Sequence, residues 1–230
     1  MRKKKNSVVS VLTADVSPLY DDARFDLLLE KIPEDHRGYV LRHASRQARC
    51  LSLGAELILS RICAGYGRDL SEMTLLREPG KKPVFADSPF RFSLSHSGTL
   101  VACAVSELEV GCDLEILRPI RLELAKRFFQ PDEAQIILSA PTEEDRNRLF
   151  FRYWTCKESF LKCIGTGLAY PMNAFTFSFS TAPIRVIHSI DSFSYSVFIR
   201  EEKPYAFALC VQDALPEQQL SVSWKTVKLV

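Results

Sequence analysis

The sequence has no apolar run that approaches the ~20 residues needed for a membrane-spanning helix. Its seven cysteines are scattered, with no Cys-x-x-Cys pair, and none of the four histidines lies near a cysteine pair. This spacing argues against a zinc site and a disulfide framework, and it favours reduced, buried thiols in a cytoplasmic protein. The formal net charge of +2 is too small to argue for nucleic-acid binding.

The order of helical and extended segments predicts two similar α/β lobes. With 230 residues, 47% of them hydrophobic, the chain can form one large domain or two small ones. A helix-rich stretch precedes strands in each half, which indicates lobes at residues 1–108 and 109–230. The start is predicted to be a basic tail followed by a strand over residues 8–13, because its apolar part is too short and too polar for a signal peptide.

The periodicity of apolar residues predicts the individual elements. Helices are expected at residues 20–31, 33–63, 122–129, 132–138 and 142–164. Strands are expected at residues 90–94, 101–105, 110–116, 175–179, 184–187, 195–199, 206–211 and 220–224.

The helix predicted over residues 142–164 carries charges beside its apolar stripe. Glu158 and Lys162 are four residues apart, so they share a face at the margin of the stripe, while Lys157 falls inside it. Charges held near apolar surface are costly unless they are paired or used. A solvated ion pair, worth roughly a few tenths of a kcal/mol, is the ordinary explanation. A second acidic cluster upstream favours a functional role for these charges.

That second cluster lies in the strand predicted over residues 110–116. Alternation sends Val110 and Cys112 to the core and makes Asp113 and Glu115 project from the other face, about 7 Å apart. The two like charges repel, and nothing in the local sequence offsets this, whereas a magnesium ion would. Gly111 on the same face would leave room for a bulky ligand. A solvent-facing edge with two acids is the alternative.

Several groups in the first half are candidates for anion binding, although each type is more often solvated or structural. They are Arg42, Arg46 and Arg49 on one face of the helix predicted over residues 33–63, Lys81 and Lys82 on a proline-bounded loop, and His96 where a strand runs into a turn.

Taken together, four motifs resemble the 4′-phosphopantetheinyl transferase superfamily, of the type that activates surfactin synthetase. They are RFSLSHSG (91–98), VGCDLE (110–115), RFF-x-x-x-E (127–133) and WTCKESFLK-x-x-GTGL (154–168). The strand motif followed by the helix motif at this distance is specific, whereas each piece alone is not. The resemblance runs from the helix at Pro33 to the turn at Gly167, and the chain is too long for the small trimeric holo-carrier synthases.

The resemblance implies two α/β lobes related by a pseudo-twofold axis, with coenzyme A and magnesium (or manganese) in the cleft between them. The implied metal ligands are Asp113, Glu115 and Glu158. The implied coenzyme A contacts are Lys162 at the pyrophosphate and Ser95, His96, Lys81 and Lys82 at the nucleotide-side phosphates. The chain departs from the family pattern at Asp35, Gly38 and Cys50, where basic residues are usual, so Arg46 and Arg49 are expected to substitute.

The resemblance also implies an activity. A serine hydroxyl of an apo acyl or peptidyl carrier protein would attack the β-phosphorus of coenzyme A and expel 3′,5′-ADP. Asp113, Glu158 and Lys162 would be catalytic, because a divalent ion and a lysine stabilise the developing charge. Either Glu158 or a metal-bound hydroxide would accept the serine proton.

The partner implied by this activity is a carrier domain, and carrier domains are usually acidic near the modified serine. A basic patch after Pro119 suits such a partner, and it comprises Arg118, Arg121, Lys126 and Arg127. The protein is expected to be a monomer that binds neither membrane nor nucleic acid. A non-catalytic coenzyme A- or carrier-binding protein of the same fold is one alternative, and a metal-dependent phosphohydrolase is another. The intact acidic and lysine set argues against the first, and the paired lysines argue against the second.

Overall fold

The first half of the chain forms a strand, three helices and a second group of strands. In the computed structural model, which describes residues 7–213 and 220–229, these are β1 (Ser7–Asp15), α1 (Asp22–Leu29), α2 (Glu34–Leu41), α3 (Arg46–Gly65), β2 (Leu75–Leu76), β3 (Val84–Phe85), β4 (Arg91–Ser97) and β5 (Leu100–Ser106). β5 pairs antiparallel with both β1 and β4, so the last strand of this half lies beside the first. The buried face of α3 packs with this sheet in one core, which includes Leu53, Ile58 and Leu59.

The second half repeats this order of elements. It forms β6 (Val110–Ile116), α4 (Glu123–Phe128), α5 (Pro131–Leu138), α6 (Glu143–Ile164), β7 (Thr176–Ser178), β8 (Ile184–Ile187), β9 (Tyr195–Glu202) and β10 (Tyr205–Gln212). β10 pairs antiparallel with β6 and β9, as β5 does with β1 and β4, and α6 packs on β6 and β10. The prediction of two similar α/β lobes is therefore confirmed.

The last strand, β11 (Leu220–Thr226), pairs in parallel with β1 and lies in the sheet of the first half. The strand orders are β11-β1-β5-β4 in the first sheet and β6-β10-β9-β8-β7 in the second. The division into residues 1–108 and 109–230 stays a prediction, and β11 crosses it. The predicted basic tail lies outside the described residues.

Local signals explain the bounds of α6. The Thr142 side chain accepts a hydrogen bond from the Asp145 backbone N–H and caps the helix, and three acidic residues occupy its first turn, at the positive end of the helix dipole. Gly165 ends the helix in the left-handed conformation, with φ of 75°. The predicted helix over residues 142–164 is confirmed.

Residues 42–45 interrupt the helix predicted over residues 33–63, and that prediction is wrong. Ser45 has an extended backbone, and its hydroxyl accepts a hydrogen bond from the Ala48 N–H at 3.1 Å, so it starts a new helix. Arg42 ends α2, whereas Arg46 and Arg49 lie in α3. The three arginines therefore do not share one helix face.

The two sheets meet edge to edge at β4 and β6, and serine side chains join them. The hydroxyl oxygens of Ser93, Ser95 and Ser97 accept the backbone N–H groups of Cys112, Leu114 and Ile116 at 3.0, 3.1 and 3.0 Å. No backbone pairing links β4 to β6 within residues 7–213 and 220–229. We call these three serines, all of which are buried, the serine ladder.

The burial of the cysteines agrees with the prediction of buried thiols. All seven cysteines are buried, and none forms a disulfide. Among the helices of the described residues, none is long and apolar enough to cross a membrane.

Candidate active site

A cavity of about 710 Å³ lies across the junction of the two sheets. Its walls come from both halves: α2, α3 and β4 on one side, and β6 and α6 on the other. From the second half it is lined by Asp113, Glu115 and Lys162, and from β4 by residues 94–97. The cavity thus lies in the predicted cleft between the lobes. It contains residues of three of the four motifs, those on β4, β6 and α6.

The two acids of β6 project together, as the alternation predicts. Val110, Cys112 and Leu114 are buried in the apolar cluster on the opposite face. Asp113 accepts hydrogen bonds on Oδ1 from the Lys162 ammonium at 2.7 Å and from the Ser95 hydroxyl at 2.9 Å. Lys162, which lies far from β6 in the sequence, therefore contributes positive charge that partly offsets the repulsion between the two acids.

Burial disfavours the charged form of two acids at this site, Glu158 and Glu115. It raises the pKa of Glu158 above its ordinary value, and the Asp113 charge adds to the rise. Burial also raises the pKa of Glu115, against a lowering bond from Ser97. For Lys162, burial is the largest single effect and lowers the pKa, but the Asp113 carboxylate and the other acidic groups around the ammonium together give a net upward shift. Lys162 thus stays charged beside acids whose negative form is disfavoured.

The donor set fits a hard divalent cation in its chemistry. Asp113 Oδ2 is buried and has no hydrogen-bond partner, which is costly for a carboxylate oxygen unless a ligand uses it. Carboxylate oxygens are the ligands that magnesium prefers. Within residues 7–213 and 220–229, however, no three His, Cys, Asp or Glu side chains converge closely enough to hold an ion. Asp113, Glu115 and Glu158 are electrostatic neighbours, not a formed coordination shell.

Gly111 serves the packing of α6 and not a ligand, so that part of the prediction is wrong. A Cβ atom on Gly111 would lie 2.0 Å from the Ser159 carbonyl oxygen and 2.4 Å from the Cys163 backbone nitrogen. The helix backbone fills the space that the missing side chain leaves. This close approach brings α6, and with it Glu158 and Lys162, next to the acids of β6.

His96 lies on the cavity wall, where its ring is still accessible to solvent. Partial burial lowers the pKa of its imidazole, and the Lys162 charge lowers it further. The ring is therefore biased to the neutral form. Ser95 also lines the cavity, but its hydroxyl is used in the serine ladder and in the bond to Asp113.

The structure does not bring the other predicted anion contacts to this cavity. Arg46 pairs with Asp22 at 2.8 Å, and the Arg49 side chain donates to the His43 carbonyl at 2.7 Å. Lys81 pairs with Glu78 at 2.6 Å. Lys82 donates to the Val110 carbonyl at 2.6 Å, which ties its loop to the start of β6.

A cationic group on the cavity wall that the sequence interpretation missed is Arg77. Its guanidinium pairs with the buried Glu56 of α3, which also contacts the His36 ring at 2.5 Å. The guanidinium carbon lies 4.0 Å from the centroid of the Tyr39 ring, and that of Arg42 lies at the same distance. Two guanidinium groups at this distance from one centroid escape strong mutual repulsion only if they lie on opposite faces of the Tyr39 ring. One signal was available: an acid, Glu56, inside the apolar run of α3.

The buried lysine of the α6 motif is paired. Lys157 is fully buried, and its ammonium contacts Glu133 Oε2 at 2.8 Å and the carbonyls of Met172 and Phe175 at 2.9 Å each. Its three N–H groups are therefore satisfied. The expectation that a charge in the apolar stripe must be paired or used is confirmed as a pairing.

Comparison with known proteins shows which family the second half of the chain resembles. The model of the 4′-phosphopantetheinyl transferase superfamily matches residues 109–221. A 4′-phosphopantetheinyl transferase of Bacillus pumilus, psf-1, is 41% identical over 130 residues, which cover 56% of this chain and 55% of that protein. Residues 109–221 of this chain are therefore similar to the 4′-phosphopantetheinyl transferase superfamily. A second relative, the 4′-phosphopantetheinyl transferase Sfp of Bacillus subtilis, is 38% identical over 125 residues, covering 54% of this chain and 55% of that protein.

The chain spans about half the length of the curated relatives it matches. The superfamily match includes Asp113, Glu115, Glu158 and Lys162, but not β4 or Arg77. A solved structure, the holo-[acyl-carrier-protein] synthase of Thermotoga maritima, superposes with a TM-score of 0.40 at 23% identity, covering 46% of this chain and 63% of that one.

Proposed function

We propose that this protein transfers the 4′-phosphopantetheine arm of coenzyme A to a serine of an apo carrier protein and releases 3′,5′-ADP. The observation that carries the proposal is the cavity at the sheet junction, in which Lys162, Asp113 and Glu115 meet. These residues lie in the part of the chain that matches the superfamily.

In the proposed reaction the carrier serine oxygen bonds to the β-phosphorus of coenzyme A. The bond from that phosphorus to the bridging oxygen breaks, and 3′,5′-ADP leaves with the electron pair. Lys162 would bind the pyrophosphate and stabilise the charge that develops on it. Its ammonium suits this role because the raised pKa keeps it protonated.

A divalent cation would be held by Asp113, Glu115 and Glu158, and it would neutralise charge on the pyrophosphate oxygens when bound. Magnesium fits this hard donor set, and manganese is an alternative. The buried, partnerless Oδ2 of Asp113 supports this assignment. Glu158 is our candidate acceptor for the serine proton, because a raised pKa makes its carboxylate a better base.

Arg77 and His96 are our candidates for the nucleotide-side phosphates, in place of Arg46 and Arg49. Arg77 presents a guanidinium to the cavity, held by Glu56 and by the Tyr39 ring. A guanidinium fork matches phosphate geometry and keeps its charge at any physiological pH. Neutral His96 can donate one hydrogen bond, and a bound phosphate would favour its protonated form.

The carrier would dock near the basic patch, which is exposed on α4 and the segment before it. The exposed side chains are Arg118, Arg121, Lys126 and Arg127. Long-range attraction by such a patch raises the association rate with an acidic partner and weakens with salt.

The test is to mix the protein with apo-carriers of the fatty-acid, polyketide and peptide-synthetase types, coenzyme A and magnesium, and to weigh the carriers. We expect a gain of one phosphopantetheinyl mass and matching release of 3′,5′-ADP, both lost in Lys162→Met. Coenzyme A binding without any mass gain would instead favour the binding-protein alternative. Phosphate release without carrier modification would favour a phosphohydrolase.

A second measurement tests the phosphate contacts. Arg77→Gln should raise the KM for coenzyme A more than it lowers kcat, because a contact present in both ground and transition states is lost. Arg46→Gln is the matched control, since Arg46 is engaged with Asp22 outside the cavity lining. Equal effects of the two substitutions would contradict the assignment.

A further inference from the structure

The serine ladder repeats one backbone contact three times, but only two of its rungs reach a carboxylate. Ser95 donates to Asp113 Oδ1 and Ser97 donates to Glu115 Oε2, both at 2.9 Å. Ser93 accepts the same kind of backbone N–H, and it contacts no carboxylate within residues 7–213 and 220–229. One strand therefore contains two serines with a double contact and a third without it.

The contacts on each acid fall on a single oxygen. Asp113 Oδ1 receives both the Ser95 hydroxyl and the Lys162 ammonium, while Oδ2 is buried without a partner. Glu115 Oε2 receives the Ser97 hydroxyl and lies 3.5 Å from the Arg118 guanidinium. In the described part of the chain, no hydrogen bond or ion pair reaches Oε1 of Glu115. Each acid thus has one oxygen held and the other left for a ligand.

Hydrogen bonds of this kind restrict the rotation of a carboxylate about its terminal bond. Because each serine also accepts the backbone N–H of the next residue on β6, its oxygen is fixed relative to the strand that carries the acid. Groups that hold a metal ligand without touching the metal often change its affinity on the order of tenfold or more when removed. The serines belong to the first half of the chain and the acids to the second.

We propose that Ser95 and Ser97 are positioning residues, which orient Asp113 and Glu115 so that one oxygen of each stays available to a divalent cation. This inference rests on the proposed function for the cation itself. It replaces the phosphate contact predicted for Ser95, whose hydroxyl is already committed to Leu114 N–H and Asp113.

The test compares Ser95→Ala and Ser97→Ala with Ser93→Ala. Manganese is titrated into each protein in the presence of coenzyme A and the absence of carrier, and free manganese is followed by electron paramagnetic resonance. We expect the Kd for manganese to rise on the order of tenfold in Ser95→Ala and Ser97→Ala, and to stay at the wild-type value in Ser93→Ala. The melting temperature in EDTA should fall in all three variants, because each loses its junction hydrogen bond, and it should fall further in Ser95→Ala and Ser97→Ala, which also lose the bond to a carboxylate.

A kinetic readout separates positioning from general damage. In the Ser95 and Ser97 variants the magnesium concentration for half-maximal rate should rise, while kcat at saturating magnesium recovers most of its wild-type value. If an alanine variant does not fold, Ser95→Cys and Ser97→Cys keep the side-chain size and replace the hydroxyl with a weak donor. They should show the same shift in manganese affinity.

The outcomes distinguish this inference from the proposed function. Equal manganese affinity in all three alanine variants would overturn the inference, since the serines would then only join the sheets. So would a wild-type protein that binds no manganese. If the wild type binds manganese with the expected pattern but modifies no carrier, the proposed function fails and the positioning role stands.

Discussion

The buried pair of Lys157 and Glu133 allows a prediction with a magnitude. The lysine is 0% exposed and the glutamate side chain 4%, so water screens neither charge. Glu133→Gln keeps the shape and one acceptor oxygen but leaves the ammonium with two carbonyls and no counter-charge. Breaking a buried pair from one side costs about 3–5 kcal/mol. For a chain of this size that lowers the melting temperature by roughly 6–20 °C.

The pH dependence of this loss follows from the sign of the lysine shift. Burial lowers the pKa of Lys157 and the Glu133 charge opposes the lowering, so removing that charge lowers the pKa further. When the pKa of a lysine is lower in the folded state than in the unfolded state, the unfolded state binds more protons. The free energy of unfolding therefore rises with pH between the folded-state pKa and the unfolded-state pKa. The Glu133→Gln defect should therefore be larger at pH 7 than at pH 9.5.

Urea denaturation of wild type, Glu133→Gln, Lys157→Met and the double variant at both pH values measures these terms. The double variant should be more stable than the sum of the single losses predicts, because the two side chains interact directly. A Glu133→Gln loss below about 0.5 kcal/mol at pH 7 would refute the reasoning. A loss that is the same at both pH values would refute the assignment of charge.

Three further outcomes are expected. Gly111→Ala should lose about 3 kcal/mol of stability, because the new Cβ would meet the backbone of α6. Gly38→Ala should gain about 0.5–1 kcal/mol, because nothing lies within 4 Å of its new Cβ. Comparable urea midpoints of the two variants would contradict this. Asp113→Ala without metal should melt below wild type by the equivalent of about 1–3 kcal/mol, since Lys162 loses its charged partner, and an unchanged melting temperature would exclude that pairing. In an NMR titration His96 should show a pKa below its ordinary 6.5 that rises when 3′,5′-ADP binds, and a value above 6.5 in the free protein would argue against its desolvation.

The parts of the fold that sequence predicted well depend on local signals. α6 begins at a capping threonine and ends at Gly165 in the left-handed conformation, and both signals lie within a few residues of the helix they bound. β6 shows strict alternation over Val110–Ile116, and the structure has the same bounds. Asp113 and Glu115 therefore faced one side in the sequence interpretation and in the fold.

The break between α2 and α3 was missed because the local signal for it is weak. Neither glycine nor proline occurs at residues 42–45, and only Ser45 marks the new start. A serine inside a helical pattern is a weak signal until its hydroxyl is seen to accept a hydrogen bond from Ala48 N–H.

Contacts between distant segments could not be read from spacing. Arg77 reaches the cavity because Glu56, twenty-one residues earlier, pairs with it. Lys82 looked available on its loop, but it meets the carbonyl of Val110 across the junction. The serines of β4 alternate in the sequence, yet their partners lie on a strand that follows β5.

The parallel pairing of β1 with β11 has a consequence for how the chain acquires its structure. Ser7 is aligned with Leu220, so the inner strand of the first sheet finds one neighbour only after residues 220–226 have been synthesised. Pairings of such long sequence separation slow folding, because the loop between them must close first. Until then the edge of β1 would be open to other strands. A ribosome-bound chain that stops at residue 213 should therefore remain sensitive to protease in its first half, even though every residue of the cavity has been made.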